Sequence, residues 1–308
     1  MNGLREESAH YLRIRRTLGF KLRGHDRLLE DFCDSLERTG ASTITTAAAL
    51  VWATTPTEVS PIRWGQRLCA VRGFARHLHG LDPAVEVPPI DLLSYRRQRP
   101  KPYLYTEKDI VGLVTAAASL RPTLRGATYQ TFFGLLAATG MRVGEAIHLD
   151  RTDVDLDAGV LDINDAKFRK HRRLPLHRST VAAMRQYAEV RDELCGEPKV
   201  ASFFVSLAGT RLLDVTVHSV FRQLLQPLCL AAQPGTGGPR IHALRHTFAV
   251  TTLRDWYRCG ADMDGKLPVL SAYLGHAEPA STYWYLQACP ELLALAAQRL
   301  ERQAGEPR

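Results

Sequence analysis

"AATGMRVGEAIHLD", residues 137–150, stops one helical run at a glycine and starts another at an arginine. Gly140 is suited to end a helix because it adopts left-handed backbone angles without strain. "RVGEAIHL" then reads as the opening of a new element. Arg142 and Glu145 are three apart, so on a helix they share a face and can pair. Standing alone, such a pair is an ordinary surface ion pair. Its meaning depends on the sequence around it.

Downstream, "GVLDINDAKFRKHRRLPLH" (159–177) alternates apolar and polar residues around a charged tip, the pattern of a β-hairpin. Lys167, Arg169, Lys170, His171, Arg172 and Arg173 crowd that tip. A solvated turn accounts for some of them, but so dense a cluster points to phosphate contacts. "HALRHTF" (242–248) puts His242 and Arg245 on one helical face, with His246 expected to point elsewhere. "LGHAEPASTYWYLQACP" (274–290) then offers His276 and two tyrosines, Tyr283 and Tyr285. Residues two apart on a helix diverge by about 200°, so only one of the two can serve a given site. The remaining stretches, among them "RSTVAAMRQYAEVRDEL" and the amphipathic "PELLALAAQRLERQ", are helical in period.

Upstream, residues 1–92 also read as helical. "YLRIRRTLGFKLRGHDRLLEDFCDSLERTG" keeps helical spacing until Gly40, and "PIRWGQRLCAVRGFARHLHGL" opens with Pro61 in a favoured first-turn position. Arg63, Arg67, Arg72 and Arg76 in the latter form either a solvated face or a DNA-facing stripe. "DPAVEVPPIDLLSYRRQRPKPYLYTEKDI" loses all periodicity and reads as a linker, with Thr106 as the N-cap of the next helix. The expected organisation is a helical domain over 1–95, a linker over 96–103 and a second domain over 104–308.

The 308 residues carry 40 Lys and Arg against 32 Asp and Glu, a formal charge of +8 that suits a polyanionic partner. Six cysteines, Cys33, Cys69, Cys195, Cys229, Cys259 and Cys289, are scattered without a CxxC pair, which argues against a zinc site or a disulfide framework. The start is charged and lacks an apolar core, and no apolar run approaches a membrane span. A cytoplasmic protein, nucleoid-associated when bound to DNA, is expected. "DVDLDAG" (153–159) imitates a calcium loop, but its glycine falls one place late and its twelfth position is Asn164. Neither a metal nor a cofactor is expected.

In order along the chain, "TGMRVGE", a lysine-bearing hairpin ending in "LPL", "HALRH", and "LGH" with a tyrosine nine residues on resemble a tyrosine recombinase of the phage-integrase type. The resemblance spans residues 137–285. It implies a mainly α fold with a small antiparallel β-sheet, in which a helical DNA-clamping domain precedes an α+β catalytic domain. It implies that Arg142 and Arg245 grip the scissile phosphate, that His242 and His276 complete the pocket, and that Glu145 supports it. It assigns Lys167 as the hairpin lysine, with Lys170 as the rival, and Tyr285 as the nucleophile. Tyr283 and Trp284 are then packing residues. Arg169, Lys170, Arg172 and Arg173 are expected on DNA.

The implied reaction is metal-independent strand cleavage and rejoining through a 3′-phosphotyrosyl intermediate on double-stranded recombination sites. Paired guanidiniums suit it, since they stabilise the anionic transition state that a metal would otherwise serve. Ionising a phenol of pKa near 10 at pH 7 costs about 4 kcal/mol, so a base is needed, and His242 is the expected one. Lys167 would protonate the departing 5′ oxygen, and His276 would bond a phosphate oxygen. The family's C-terminal helix docks on a neighbour, which implies a homo-tetramer on two DNA sites, with or without sister recombinases. The other reading folds that helix onto its own domain. The tail of the motif resembles the transposon-associated branch. A type IB topoisomerase and a catalytically silent DNA-binding protein are the alternatives.

Overall fold

The computed structural model describes residues 2–93, 101–165, 170–196, 199–230 and 236–305. They form two compact units that divide near residue 100. The first holds α1 (Asn2–Thr17), α2 (His25–Thr39), α3 (Thr46–Thr54) and α4 (Pro61–His79). The periodic run that reads as one helix to Gly40 is in fact two. Gly19 and Gly24 both take positive φ angles, +90° and +76°, and turn the chain between α1 and α2. Pro61 does open α4, where its missing N–H goes unused.

Leu29, Phe32, Ile44, Leu68, Val71 and Phe74 make the core of this unit, all fully buried. Each such side chain contributes about 2 kcal/mol by leaving water. The arginines of α4 are not equivalent. Arg67 lies over the Trp52 ring at 3.8 Å and donates to the Trp52 carbonyl at 3.0 Å and to Asp31 at 3.2 Å. Arg72 donates to the carbonyls of Pro88 and Pro89, both at 2.7 Å. Only Arg63 and Arg76 of the four are exposed. A single outward stripe of four is therefore incorrect: two of its members tie this unit together from within.

The second unit contains α5 (Glu107–Ala118), α6 (Thr123–Thr139), α7 (Val143–His148), β1 (Val154–Asp155), β2 (Val160–Asp165), β3 (Lys170–Pro175), α8 (Arg178–Cys195), α9 (Asp214–Leu225), α10 (His242–Arg258), α11 (Met263–Leu274), α12 (Ala280–Ala288) and α13 (Pro290–Gly305). Thr106 caps α5 in a reciprocal capping box with Asp109. The three strands form an antiparallel sheet in the order β1-β2-β3, with Ile163 opposite Arg172.

Two apolar cores meet along α10. Residues Ala243 and Leu244 join a large core built on α6 with Phe132, Phe133, Phe204 and Phe221. One turn on, Ala249, Val250 and Leu253 join a second core with Leu267, Leu270, Tyr285 and Leu292. In this structure α13 packs on α10 of its own chain: Leu292 is fully buried and Arg258 pairs with Glu291 at 2.8 Å. No helix among the described residues is long and apolar enough to cross a membrane.

Candidate active site

Helix α6 ends at Gly140, whose φ of +61° admits few other residues. A Cβ there would sit 2.5 Å from the Phe248 ring, so glycine is also required for α6 to approach α10. Arg142 follows as the N-cap of α7, and its main-chain N–H donates to Glu145 Oε2 at 2.8 Å while its guanidinium donates to Oε1 at 2.7 Å. Glu145 has a second cationic partner that its sequence neighbours do not reveal. Arg172 of β3 donates to Oε1 at 3.1 Å and to Oε2 at 2.7 Å. Burial by itself would raise the Glu145 pKa. Arg172 and Arg142 outweigh it and hold the carboxyl below the usual range.

The C-terminus of α11 collects three arginines. Backbone N–H groups of Gly275 and His276 satisfy the carbonyls of Ala272 and Ser271. The next three carbonyls have no helical donors left, and each accepts from a guanidinium of a different element. Arg172 Nε donates to Tyr273 at 3.0 Å, Arg245 to Leu274 at 2.7 Å, and Arg142 to Gly275 at 2.6 Å. Arg245 also donates to the Gly140 carbonyl at 2.9 Å. The negative end of the helix dipole lies where these cations gather.

Burial, reinforced by the concentrated positive charge, sets the protonation of the pocket. Arg245 is 3% exposed, and burial, then Arg142, lowers its pKa to about 10, so it remains a cation at neutral pH. Burial lowers His242 to about 4, assisted by Arg245 and Arg142. His276 falls to about 4 from burial, then from Arg245 and Arg142. Both imidazoles are therefore neutral at pH 7.

Tyr285 of α12 is 2% exposed and its hydroxyl lies 3.2 Å from Nδ1 of His246. Its ring is 6.2 Å from that of His276, which bonds Thr282 Oγ1 at 2.7 Å through Nδ1. The structure thus brings Arg142, Glu145, His242, Arg245, His276 and Tyr285 into one pocket. Two expectations need correcting. His246 does not point away: it is one full turn from His242, its ring is 4.7 Å from that imidazole, and it meets the tyrosine. The i, i+4 spacing of the two histidines was the available signal. Tyr283 does not pack inside but is 48% exposed on the opposite face, while Trp284 is half-buried beside His246 and Tyr285.

The hairpin cations also separate. Lys167 and Arg169 lie outside the described residues, and Lys170 opens β3. Strand alternation sends Arg173 outward, 79% exposed and paired with Asp162 at 2.9 Å, and sends Arg172 inward, 13% exposed. Arg172 is therefore a buried partner of Glu145, not an outward-facing cation of the hairpin tip. The calcium-like loop is a turn: Asp155 accepts from the N–H groups of Asp157 and Ala158, and Asp157 pairs with Arg185. Among the described residues no group of three or more His, Cys, Asp or Glu is placed to hold a metal.

Solved structures share this architecture. The integrase of transposon Tn1549 in complex with transposon right end DNA superposes with a TM-score of 0.69 at 15% identity, covering 98% of this chain and 99% of that one. The XerH site-specific recombinase bound to palindromic difH substrate gives 0.67 at 18% identity, covering 91% and 78%. The fold is that of the site-specific recombinases. Residues 104–291 match the phage integrase family, and the chain belongs to that family as a tyrosine-type site-specific recombinase. It is 42% identical over 309 residues to the putative integrase/recombinase y4rB of Sinorhizobium fredii (strain NBRC 101917 / NGR234), covering 98% of each. It is 30% identical over 239 residues to the tyrosine recombinase XerD of Caulobacter vibrioides, covering 77% of this chain and 74% of that one.

Proposed function

We propose that this recombinase cuts and rejoins double-stranded DNA at the ends of a mobile element, with Tyr285 as the nucleophile. The observation that carries the reading is the seating of Arg142 and Arg245 on the adjacent carbonyls of Gly275 and Leu274, in the pocket that holds Tyr285. Two guanidiniums fixed before substrate arrives need little reorganisation to bind the non-bridging oxygens of a phosphodiester, and they gain most as charge builds in the pentacoordinate transition state. His242 and His276, neutral at pH 7, add hydrogen bonds to the same oxygens without repelling the arginines. Glu145 supports Arg142. Lys167, with Lys170 as the rival, supplies the proton to the leaving 5′ oxygen.

Tyr285 joins the 3′ phosphate, the 5′ hydroxyl departs, and the covalent link stores the bond energy for religation to another strand. Arg173, Arg169 and Lys170 contact DNA from the hairpin, and residues 1–95 serve as the DNA-clamping domain. Two bound sites and four copies of the chain make the working assembly, with sister recombinases or without them, and α13, packed on α10 of its own chain in this structure, moves to a neighbour on assembly. The integrase name of the 42% identical relative and the fold shared with the Tn1549 integrase support the mobile-element reading.

The test is covalent trapping on a nicked duplex carrying the ends of the DNA element that encodes the chain, with EDTA present. Wild type is expected to give a denaturation-resistant adduct on the 3′ side of the nick, and Tyr285→Phe none. An adduct of equal yield from Tyr285→Phe would remove Tyr285 from the reaction.

A further inference from the structure

We infer that His246 is the base that takes the phenolic proton of Tyr285 during strand cleavage, a role that rests on Tyr285 being the nucleophile. The Tyr285 hydroxyl lies within hydrogen-bond distance of His246 Nδ1, at 3.2 Å. The imidazole is also held by packing. Its ring meets His242 edge-on at 4.7 Å, Trp284 at 5.4 Å and Tyr285 at 5.5 Å. Nucleophile and base are thus packed together before substrate is present, one on α12 and the other on α10.

Helix α10 divides two tasks between successive residues. Side chains one position apart leave a helix about 100° apart. Arg245 runs toward the end of α11, where its guanidinium is anchored on the carbonyls of Leu274 and Gly140. His246 runs toward α12 and the tyrosine hydroxyl. A phosphate held by Arg245 is then met by a phenol held by the next residue of the same rigid helix. This coupling of grip and nucleophile is the preorganisation that in-line attack requires.

The proton balance closes with groups already named. An imidazole protonated on Nε2 presents its Nδ1 lone pair to the phenol. As the Tyr285 Oη–phosphorus bond forms, the phenolic proton passes to Nδ1 and leaves an imidazolium. The phosphorus–O5′ bond breaks, and the 5′ oxygen takes a proton from the ammonium of the hairpin lysine. In religation the 5′ hydroxyl attacks, its proton returns to the lysine amine, the phosphorus–tyrosine bond breaks, and the phenolate recovers its proton from His246. Nothing is consumed over the cycle.

The experiment uses the trapping duplex in single turnover, with an oxygen or a sulfur as the bridging 5′ atom at the scissile phosphate. A thiolate leaves without needing an acid, so the sulfur substrate relieves loss of the leaving-group acid but not loss of the base. His246→Ala removes the imidazole, and His246→Asn keeps a hydrogen-bonding atom near Nδ1 that cannot accept the proton. Both are expected to form adduct at least about 100-fold more slowly than wild type on both substrates, with DNA affinity unchanged. Should His246→Ala fail to bind DNA, His246→Asn carries the comparison. A wild-type rate in His246→Asn, or recovery of either variant on the sulfur substrate, overturns the inference. Loss of the assignment of Tyr285 itself would show separately, as an adduct formed by Tyr285→Phe in the same assay.

Discussion

Arg172 and Gly275 share one volume: a Cβ built on residue 275 would lie 2.7 Å from Arg172 Nη1 and 2.9 Å from its Cζ. The guanidinium passes over the bare α-carbon on its way to Glu145. Gly275 also has a φ of +67°, so a side chain is opposed twice, by its own backbone and by the arginine. Gly275→Ala is expected to lose about 1 kcal/mol from backbone strain alone. It should lose more activity than that implies, because displacing Arg172 strips two of the hydrogen bonds from Glu145. Thermal unfolding set beside single-turnover cleavage separates the two effects. Arg172→Ala in the same background should restore stability only in part, since the strained φ remains.

Glu145 is a buried carboxylate between two guanidiniums, with its side chain 8% exposed. Removing it leaves Arg172 and Arg142 facing each other, and Glu145→Ala is expected to cost about 3 kcal/mol. The pH dependence has a definite sign. The folded carboxyl has a pKa below its ordinary 4.5, so its contribution is complete above 4.5 and is lost as pH falls through the lower folded value. Denaturant titrations should show wild type and Glu145→Gln far apart at pH 7 and converging as pH falls well below the ordinary carboxylate range.

For His242 and His276 the sign is the same but the window is different. Both are neutral in the folded protein down to about pH 4, whereas the unfolded chain binds protons there from about 6.5. Without DNA, stability should therefore decline as pH drops from 6.5 to 4. His242→Asn should flatten that decline, as read by unfolding midpoints at half-unit pH steps. An unchanged slope would mean that the His242 imidazole is not held neutral by this pocket.

Much of this organisation could be read from residue order, and the rest depended on partners far apart in the chain. Thr106, Pro61 and Gly140 act through their own backbone neighbourhood, so their capping roles follow from local rules. The hairpin was legible because strand alternation is also local. Arg172 was not, because period 2 says that it and Arg173 face opposite ways but not which way holds a carboxylate 27 residues upstream. Tyr283 shows the same limit. Its separation from Tyr285 by about 200° takes it off the site but does not say whether its face of α12 meets core or water, and it meets water. His246 lies one helical step from Arg245 but a full turn from His242, and the full turn is what brings it to the tyrosine. In the first unit, Gly19 and Gly24 broke a helix that apolar spacing alone carried through, because periodicity records burial and not φ.

The four arginines of α4 offer the clearest contrast between stability and binding. Arg67, stacked on Trp52 and bonded to its carbonyl, has 11% of its side chain exposed. Arg67→Ala removes packing as well as charge, and is expected to destabilise this unit by about 2 kcal/mol. Arg63 and Arg76 are exposed. Replacing either by alanine should leave the unfolding free energy within about 0.5 kcal/mol. If this helix faces DNA, each of these two substitutions should also lower affinity and reduce the salt dependence of binding by roughly one counterion. Measuring affinity across a salt series for all four alanine variants checks both halves together. Equal salt slopes for Arg63→Ala, Arg76→Ala and wild type would show that α4 turns its exposed arginines away from the duplex.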